Sequence, residues 1–598
     1  MERAYGVLKQ YFGYETFFPM QEEVVASVIR GEDGLVLMPT GGGKSICFQV
    51  PAIVMPGTCV VVSPLISLMK DQVEGLVANG VRAAFWNSSL DGMALRQVEE
   101  RFFKGALDIL YLSPEKISSP DIISMMQRVK INLIAIDEAH CISSWGHDFR
   151  PHYTRLTFLK KVFPSVPLLA LTATADKVTR TDILRLLGIE NGNRFVASFD
   201  RPNIELSVRP AQNRMKQILN FIDSHPNQPG IIYCLSRKST ENVAAKIQRA
   251  GVKTAFYHAG MDAEERSRVQ EDFINDRVSV ICATIAFGMG IDKSNVRWVI
   301  HYNMSKNIEG YYQEIGRAGR DGSAANALLF YSYRDLMVLR EIIQNNESEN
   351  LDVQLAKLGR MKEYAEATTC RRRVLLNYFN EDTTEDCGNC DVCRHPPEHF
   401  DGTVIAQKAL SAVVRLKQGV ASGMLIDVLR GSARKDILSR GYQHIKTYGT
   451  GSDIPRSAWE FYIRQLVNLG YLEVDYEHYN ALKLTSASTK VLFHGEKVNL
   501  VRLSTAKAQR EKQKSTVRKT AKRERVRDAL FEELRVLRRD LSQKMGVPPY
   551  IIFSDRTLEE MAAARPVTPI SMRAISGVGD QKLEKFGELF MEVIRGFV

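Results

Sequence analysis

The sequence lacks any long apolar run. The longest, such as Leu133–Ile136, are strand-length and fall far short of the ~20 residues that a bilayer-spanning helix needs. Met1–Arg30 mixes Glu, Lys and Gln with aromatics and holds no apolar signal-peptide core, so an intracellular, cytoplasmic protein with no membrane partner is expected. Cysteine is sparse, at nine in 598 residues. Cys47, Cys59, Cys141, Cys234 and Cys282 stand singly in or beside apolar segments and read as small core residues rather than disulfide partners. A bias toward disorder is also missing: 44% hydrophobic and 25% charged residues exclude a mostly disordered chain. So is an acidic excess. Lys+Arg number 80 against 69 Asp+Glu, and a net charge of +11 suits a polyanionic partner.

What is present is unevenly spread. Residues 506–525 hold nine basic and two acidic side chains, a net of +7, whereas residues 526–598 balance to zero. The basic stretch reads as a linker able to hold phosphates loosely. Upstream, strand-length apolar runs (Leu35–Met38, Val60–Val62, Leu133–Ile136, Leu168–Leu171, Ile231–Cys234, Val278–Cys282, Trp298–His301) alternate with amphipathic segments such as Gln21–Arg30 and Glu241–Arg249. That alternation predicts a multidomain α/β chain with two doubly wound, parallel-sheet lobes, divided near Phe199–Asn203. From about Tyr333 the pattern turns helical, and Pro396-Pro397 marks a further boundary.

Leu35–Met38 runs directly into Pro39-Thr40-Gly41-Gly42-Gly43-Lys44-Ser45 and then a helix. Glycines let backbone amides converge on phosphate oxygens, and the helix N-terminus adds positive potential. Lys44 suits the β/γ-phosphates and the Ser45 hydroxyl suits Mg2+, although Met38 stands where the strict phosphate-loop pattern has Gly. Leu133–Ile136 delivers Asp137 and Glu138, one to hold Mg2+ through water and one to activate the attacking water. Further on, Gln313-Glu314-Ile315-Gly316-Arg317-Ala318-Gly319-Arg320 places two arginines three apart, expected on one helix face, to offset charge developing on the γ-phosphate. Together these predict nucleoside-triphosphate hydrolysis that depends on lobe closure. Beside the acidic pair, Trp145, His147, Phe149 and Arg150 offer stacking faces and phosphate contacts for unpaired bases, close enough to Glu138 to couple binding to hydrolysis. Cys370, Cys387, Cys390 and Cys393 have the spacing of a four-thiolate metal site. A closed tetrahedral Zn2+ is the first reading and an iron–sulfur cluster the alternative. Helix Ser457–Leu469 and the alternating stretch Tyr471–Thr485 read as a helix followed by a β-hairpin, with Tyr476, His478 and Tyr479 at its tip.

On these motifs, and on Tyr14–Gln21, VVSPLISLMKDQV (Val61–Val73), LALTATA (Leu169–Ala175) and ATIAFGMGID (Ala283–Asp292), the chain resembles the RecQ family of DNA helicases over nearly its whole length. The resemblance implies two RecA-like P-loop lobes (1–202 and 203–335), a helical zinc-binding subdomain (336–398), a winged-helix domain (399–505), the basic linker (506–525) and a small all-α HRDC domain (526–598). It implies ATP with Mg2+ and one structural Zn2+ on the four cysteines. The nucleotide contacts it implies are Tyr14, Phe18, Gln21 as base reader, Thr40, Gly41, Gly42, Gly43, Lys44, Ser45, Asp292 and Gln313, with Arg320 as principal arginine finger and Arg317 beside it. DNA contacts fall to Trp145, His147, Phe149, Arg150, Thr284 and His478. The implied activity is 3′→5′ translocation and unwinding in recombination and repair, by a monomer whose partners are single-stranded and duplex DNA, a single-strand-binding protein and other repair proteins. Phe18 stands where the family carries a cation over the base, so looser base discrimination is expected. Loop Ile575–Asp580 is expected to offer amides to a phosphate. Two rivals share the motifs: an RNA helicase or duplex translocase, and a nucleotide-switched scaffold. Glu138 argues against the scaffold, since a switch needs no water-activating carboxylate.

Overall fold

β-Branched and aliphatic runs too short for helices, bounded by Gly, Pro and polar turns, form two all-parallel sheets. The computed structural model describes residues 1–64, 66–87, 90–143, 150–287, 293–345, 351–381, 383, 385–475, 478–502 and 528–597. The first sheet comprises β1 (Gly34–Leu37), β2 (Thr58–Val62), β3 (Ala83–Trp86), β4 (Ile109–Leu112), β5 (Ile131–Ile136), β6 (Leu168–Thr172) and β7 (Asn193–Val196), in the order β3-β4-β2-β5-β6-β1-β7. The second comprises β8 (Ile204–Pro210), β9 (Gly230–Tyr233), β10 (Thr254–Tyr257), β11 (Val280–Ala283), β12 (Trp298–His301) and β13 (Ala325–Tyr331), in the order β10-β11-β9-β12-β13-β8. Central strands β1, β2, β9, β11 and β12 are buried along their full length, as expected of strands covered by helices on both faces.

The segment between the sheets and the zinc-binding region that follows them share one packed junction. Phe199, just after β7, stacks on Phe379 at 4.5 Å with planes 6° apart, and Tyr312 meets Phe379 edge-on at 4.9 Å. The Tyr312 hydroxyl donates to the Phe199 carbonyl (2.7 Å), and Arg180 of the first lobe donates to the Phe379 carbonyl (3.1 Å). Beyond it, helices Thr403–Arg415, Ser422–Leu429 and Arg456–Asn468 pack with the antiparallel hairpin β15 (Leu472–Asp475) and β16 (Ala481–Leu484), while β14 (His399–Asp401) pairs with β17 (Asn499–Val501). This unit has its own core around the fully buried Trp459, whose indole donates to the Gly451 carbonyl at 2.9 Å.

The C-terminal helical domain (Asp528–Met545, Pro549–Ile552, Asp555–Ala564, Pro569–Arg573 and Glu588–Arg595) rests on both lobes. Asp555 is buried between Arg538 of its own domain (2.7 Å) and Arg297 of the second lobe (3.0 Å), and Arg297 also pairs with Asp321. Ser323 donates to Glu559 (3.0 Å), and Arg535 donates to the Asn227 carbonyl (3.1 Å). On the first lobe, Lys9 donates to the Arg573 carbonyl (3.1 Å). The loop expected to offer amides to a phosphate is used internally: the Gly577 amide donates to the Gly13 carbonyl (3.3 Å), and the Val578 side chain is fully buried. Gly13 has φ +77°, and a Cβ there would lie 2.6 Å from the Gly579 nitrogen, so only glycine permits this backbone approach.

Burial alone would raise the Asp555 carboxyl, but the Arg538 and Arg297 guanidiniums outweigh it and hold it at about 2. A depressed carboxylate contributes its stability above its unfolded value and loses it as pH falls, so this contact is complete above about pH 4 and fades toward pH 2. Asp555→Asn leaves two guanidiniums buried without their shared charge and is expected to cost about 3–5 kcal/mol. Amide hydrogen exchange checks this: faster exchange at neutral pH in helix Asp528–Met545 is the expected result, and unchanged protection contradicts it.

Candidate active site

The C-terminal ends of β1 and β5 place the phosphate loop and the acidic pair side by side at one end of the first sheet, where open α/β sheets bind ligands. Met38 does not weaken the loop. Its side chain is buried beside Cys47, with sulfurs 3.9 Å apart, and its carbonyl accepts from Lys44 Nζ at 3.1 Å. Gly41 and Gly43 take φ of +84° and +76°, turning the loop into helix Ile46–Val54. A Cβ on Gly41 would sit 3.2 Å from the Arg320 backbone, so glycine here admits the facing lobe. Gln21 is buried and braces the loop: its amide donates to the Gly42 (3.3 Å) and Gly43 (3.1 Å) carbonyls, while its Oε1 accepts from the Phe18 amide (2.8 Å). The expected base reader therefore also fixes the shape of the phosphate loop.

Asp137 continues β5, its amide donating to Val62 and its Oδ1 accepting from the Glu138 amide at 2.9 Å. Glu138 adopts left-handed backbone, φ +47° and ψ +45°, which is uncommon for a residue with a side chain and is found at functional turns. One carboxylate oxygen lies 3.4 Å from His140 Nδ1, which also meets the Thr172 hydroxyl at the end of β6 (2.9 Å). Burial lowers the Lys44 ammonium below the usual lysine range, and the nearby Glu138 and Asp137 carboxylates offset this only in part.

Arg317 and Arg320 are not on a helix face. Helix Ile308–Ile315 ends first, and both arginines lie in the following turn, bent by Gly319 (φ +58°) and Gly322 (φ +85°). These two glycines bend the turn after the helix has ended. Tyr14, Phe18, Gln21, Thr40, Gly41, Gly43, Lys44, Ser45, Asp137, Glu138, Gln313, Arg317 and Arg320 line one cavity of about 530 Å³. Gly42 is absent from its wall, and Asp292 lies outside the described residues.

The sequence reading missed Arg201. Its guanidinium donates to the Thr40 carbonyl in the phosphate loop and to the Ala318 (3.1 Å) and Gly319 (2.8 Å) carbonyls in the arginine turn. The interlobe segment thus ties both halves of the cleft together. A cation between Phe199 and Pro202, at the break between two sheets, was the available signal.

Among the proposed DNA-contacting residues, Trp145, His147 and Phe149 lie outside the described residues. Arg150 is turned inward, donating to the Pro64 carbonyl (3.1 Å), which links this segment to the Val61–Val73 motif. Thr284 follows β11, next to a 64% exposed Ile285. At the hairpin tip His478 Nδ1 is 2.9 Å from Asp475, Tyr479 is 93% exposed, and Tyr476 is outside the described residues.

The four cysteine sulfurs lie within 4.8 Å of one another, with Cys387 and Cys393 3.9 Å apart. Zinc–thiolate bonds of about 2.3 Å require edges of about 3.8 Å. The amides of Cys387, Asn389 and Cys393 point at the sulfurs of Cys370, Cys387 and Cys390 (3.3, 3.4 and 3.4 Å), as suits thiolates. The donor set fits one structural Zn2+ with no open position. Around it Arg371 forks onto Asp391 (2.8 and 3.1 Å), Arg372 reaches Asp200 (3.0 Å), and Arg373 donates to the Leu469 carbonyl (3.2 Å), joining this unit to the interlobe segment and to the winged-helix core.

Two parallel-sheet lobes closing a phosphate loop, an acidic pair and an arginine turn around one cavity define a nucleotide-hydrolysing helicase core. Family models match in chain order: DEAD/DEAH box helicase (18–181), helicase conserved C-terminal domain (213–322), RecQ zinc-binding (333–394), RQC domain (396–509) and HRDC domain (527–594). The chain is 45% identical over 597 residues to the ATP-dependent DNA helicase RecQ of Haemophilus influenzae, covering 99% of this chain and 96% of that one. It is 42% identical to the same helicase of Pasteurella multocida (99% and 94% covered) and 38% identical to that of Bacillus subtilis (100% and 99% covered). The chain belongs to the RecQ family of ATP-dependent DNA helicases.

Cys390→Ser removes a buried thiolate from the zinc set. Metal analysis is expected to give clearly less than one zinc per chain, with a lower thermal midpoint and lower ATPase activity, because Arg371–Arg373 carry the disturbance to the interlobe segment. A full zinc complement in the variant contradicts the assignment.

Proposed function

We propose that this enzyme uses ATP hydrolysis in the interlobe cleft to move 3′→5′ along single-stranded DNA and separate the duplex ahead, in recombination and repair. The observation that carries the reading is the single cavity bringing Lys44 and Glu138 of one lobe against Arg317 and Arg320 of the other. In it Lys44 neutralises the β/γ-phosphates, Ser45 and Asp137 hold Mg2+, Glu138 positions and deprotonates the attacking water, and Arg320 with Arg317 offsets charge developing on the transferred phosphoryl group. His140 Nδ1, paired with the Thr172 hydroxyl, lies 3.4 Å from the Glu138 carboxylate. The segment holding Trp145, His147 and Phe149 receives the unpaired strand by stacking, and Arg150, tied to Pro64, relays strand binding into the first lobe. The exposed Tyr479 ring stands at the fork, and His478, held by Asp475, stiffens the hairpin beneath it.

Strand separation of 3′-tailed and 5′-tailed duplexes, with Lys44→Ala as control, tests this. ATP-dependent unwinding of the 3′-tailed substrate alone, lost in the control, is the expected outcome. Equal unwinding of both tails, or stimulation by RNA but not by DNA, contradicts it.

A further inference from the structure

The base-side mouth of the cavity is built from two lobes and a third party. Tyr14 and Phe18 are 39% and 47% exposed, their ring centroids 6.5 Å apart and planes tilted by 42°, so neither ring covers the other. The phosphate end is already supplied with cations by Lys44, Arg317 and Arg320. Two further cations line the cavity: Arg201, committed to the Thr40, Ala318 and Gly319 carbonyls, and, from the C-terminal domain, Arg556 at the start of helix Asp555–Ala564. The Arg556 guanidinium reaches Gly322, where an added Cβ would lie 2.8 Å from Nη1, and its charge acts on the Tyr14 phenol. Among the described residues no hydrogen bond or ion pair is formed by this guanidinium, whereas the preceding residue, Asp555, is pinned by Arg297 and Arg538. The clamp on Asp555 fixes where Arg556 can point. An uncommitted, weakly hydrated planar cation that lines the same cavity as two open aromatic rings is suited to stacking on a heteroaromatic ring.

We infer that Arg556 is a nucleotide-binding residue that the C-terminal domain adds to the cleft, its guanidinium stacking on the base of bound ATP beside Tyr14 and Phe18. Asp555 is its positioning residue. This rests on reading the cavity as the ATP site and adds a role for the docked domain in nucleotide affinity. It also supplies the cation that the Tyr14–Gln21 segment lacks.

The test is calorimetric titration of the full-length, zinc-loaded protein with two magnesium complexes, a non-hydrolysable ATP analogue and inorganic tripolyphosphate, which carries the phosphates without a base. Arg556→Ala is expected to weaken the ATP analogue about 5–10-fold and to leave tripolyphosphate within about twofold, with Arg556→Lys in between. Asp555→Asn, outside the cavity wall, is expected to reproduce the same base-selective loss. Unchanged affinity for the ATP analogue in Arg556→Ala, or an equal loss for both ligands, overturns the proposal. The wild-type protein separates this from failure of the site itself: if it binds neither complex, the reading of the cavity falls and not only Arg556.

Discussion

The structure turns on one guanidinium. Arg201 leaves the interlobe segment and donates to carbonyls on both sides of the cleft, Thr40 in the phosphate loop and Ala318 and Gly319 in the arginine turn. Backbone carbonyls cannot be moved by substitution, and a planar fork reaches several of them at fixed geometry. Burial opposes its charge, so the hydrogen bonds must be kept for the ion to be tolerated. The distance between Lys44 and Arg320 is thereby set by a residue that belongs to neither loop. Hydrolysis needs both loops on the same phosphates, which makes this tie a condition of the chemistry.

The peripheral units are wired into the same place. Arg372 carries the zinc-binding subdomain to Asp200, the neighbour of Arg201. Phe379 stacks on Phe199, two residues before Arg201. Asp555 carries the C-terminal domain to Arg297 and so to Asp321, the neighbour of Arg320. Each attachment is an ion pair or an aromatic stack within two residues of the cleft. Modules read as separate along the chain therefore bear on one set of loops, and movement in any of them is felt where the phosphates sit.

Much of this was legible before the structure. Seven strands were legible as buried, largely apolar runs, whereas the interior strands Ile109–Leu112 and Ala325–Tyr331 were not picked out although they are buried too. Asn193–Val196 was not legible, because it is an exposed edge strand with mixed polarity. Ala83–Trp86 and Thr254–Tyr257 escaped as well; both are short strands at sheet margins. The phosphate loop and acidic pair were readable because their chemistry is local in sequence. Arg201 was not, since its partners lie 161 and 118 residues away and a lone arginine carries no spacing signal. The arginine turn was misread as a helix face because a three-residue spacing was weighed above the glycines that follow the helix. Loop Ile575–Asp580 looked like a phosphate nest until its contact with Gly13, more than 500 residues away, accounted for its glycines.

The most direct measurement is steady-state ATP hydrolysis by Arg201→Ala under saturating single-stranded DNA, with zinc content and DNA affinity verified as unchanged. Charge-assisted hydrogen bonds contribute about 1.5–3 kcal/mol each, so losing this tie is expected to lower kcat at least ~10-fold. Hydrolysis at the wild-type rate would show that the lobes align without it and would contradict the account.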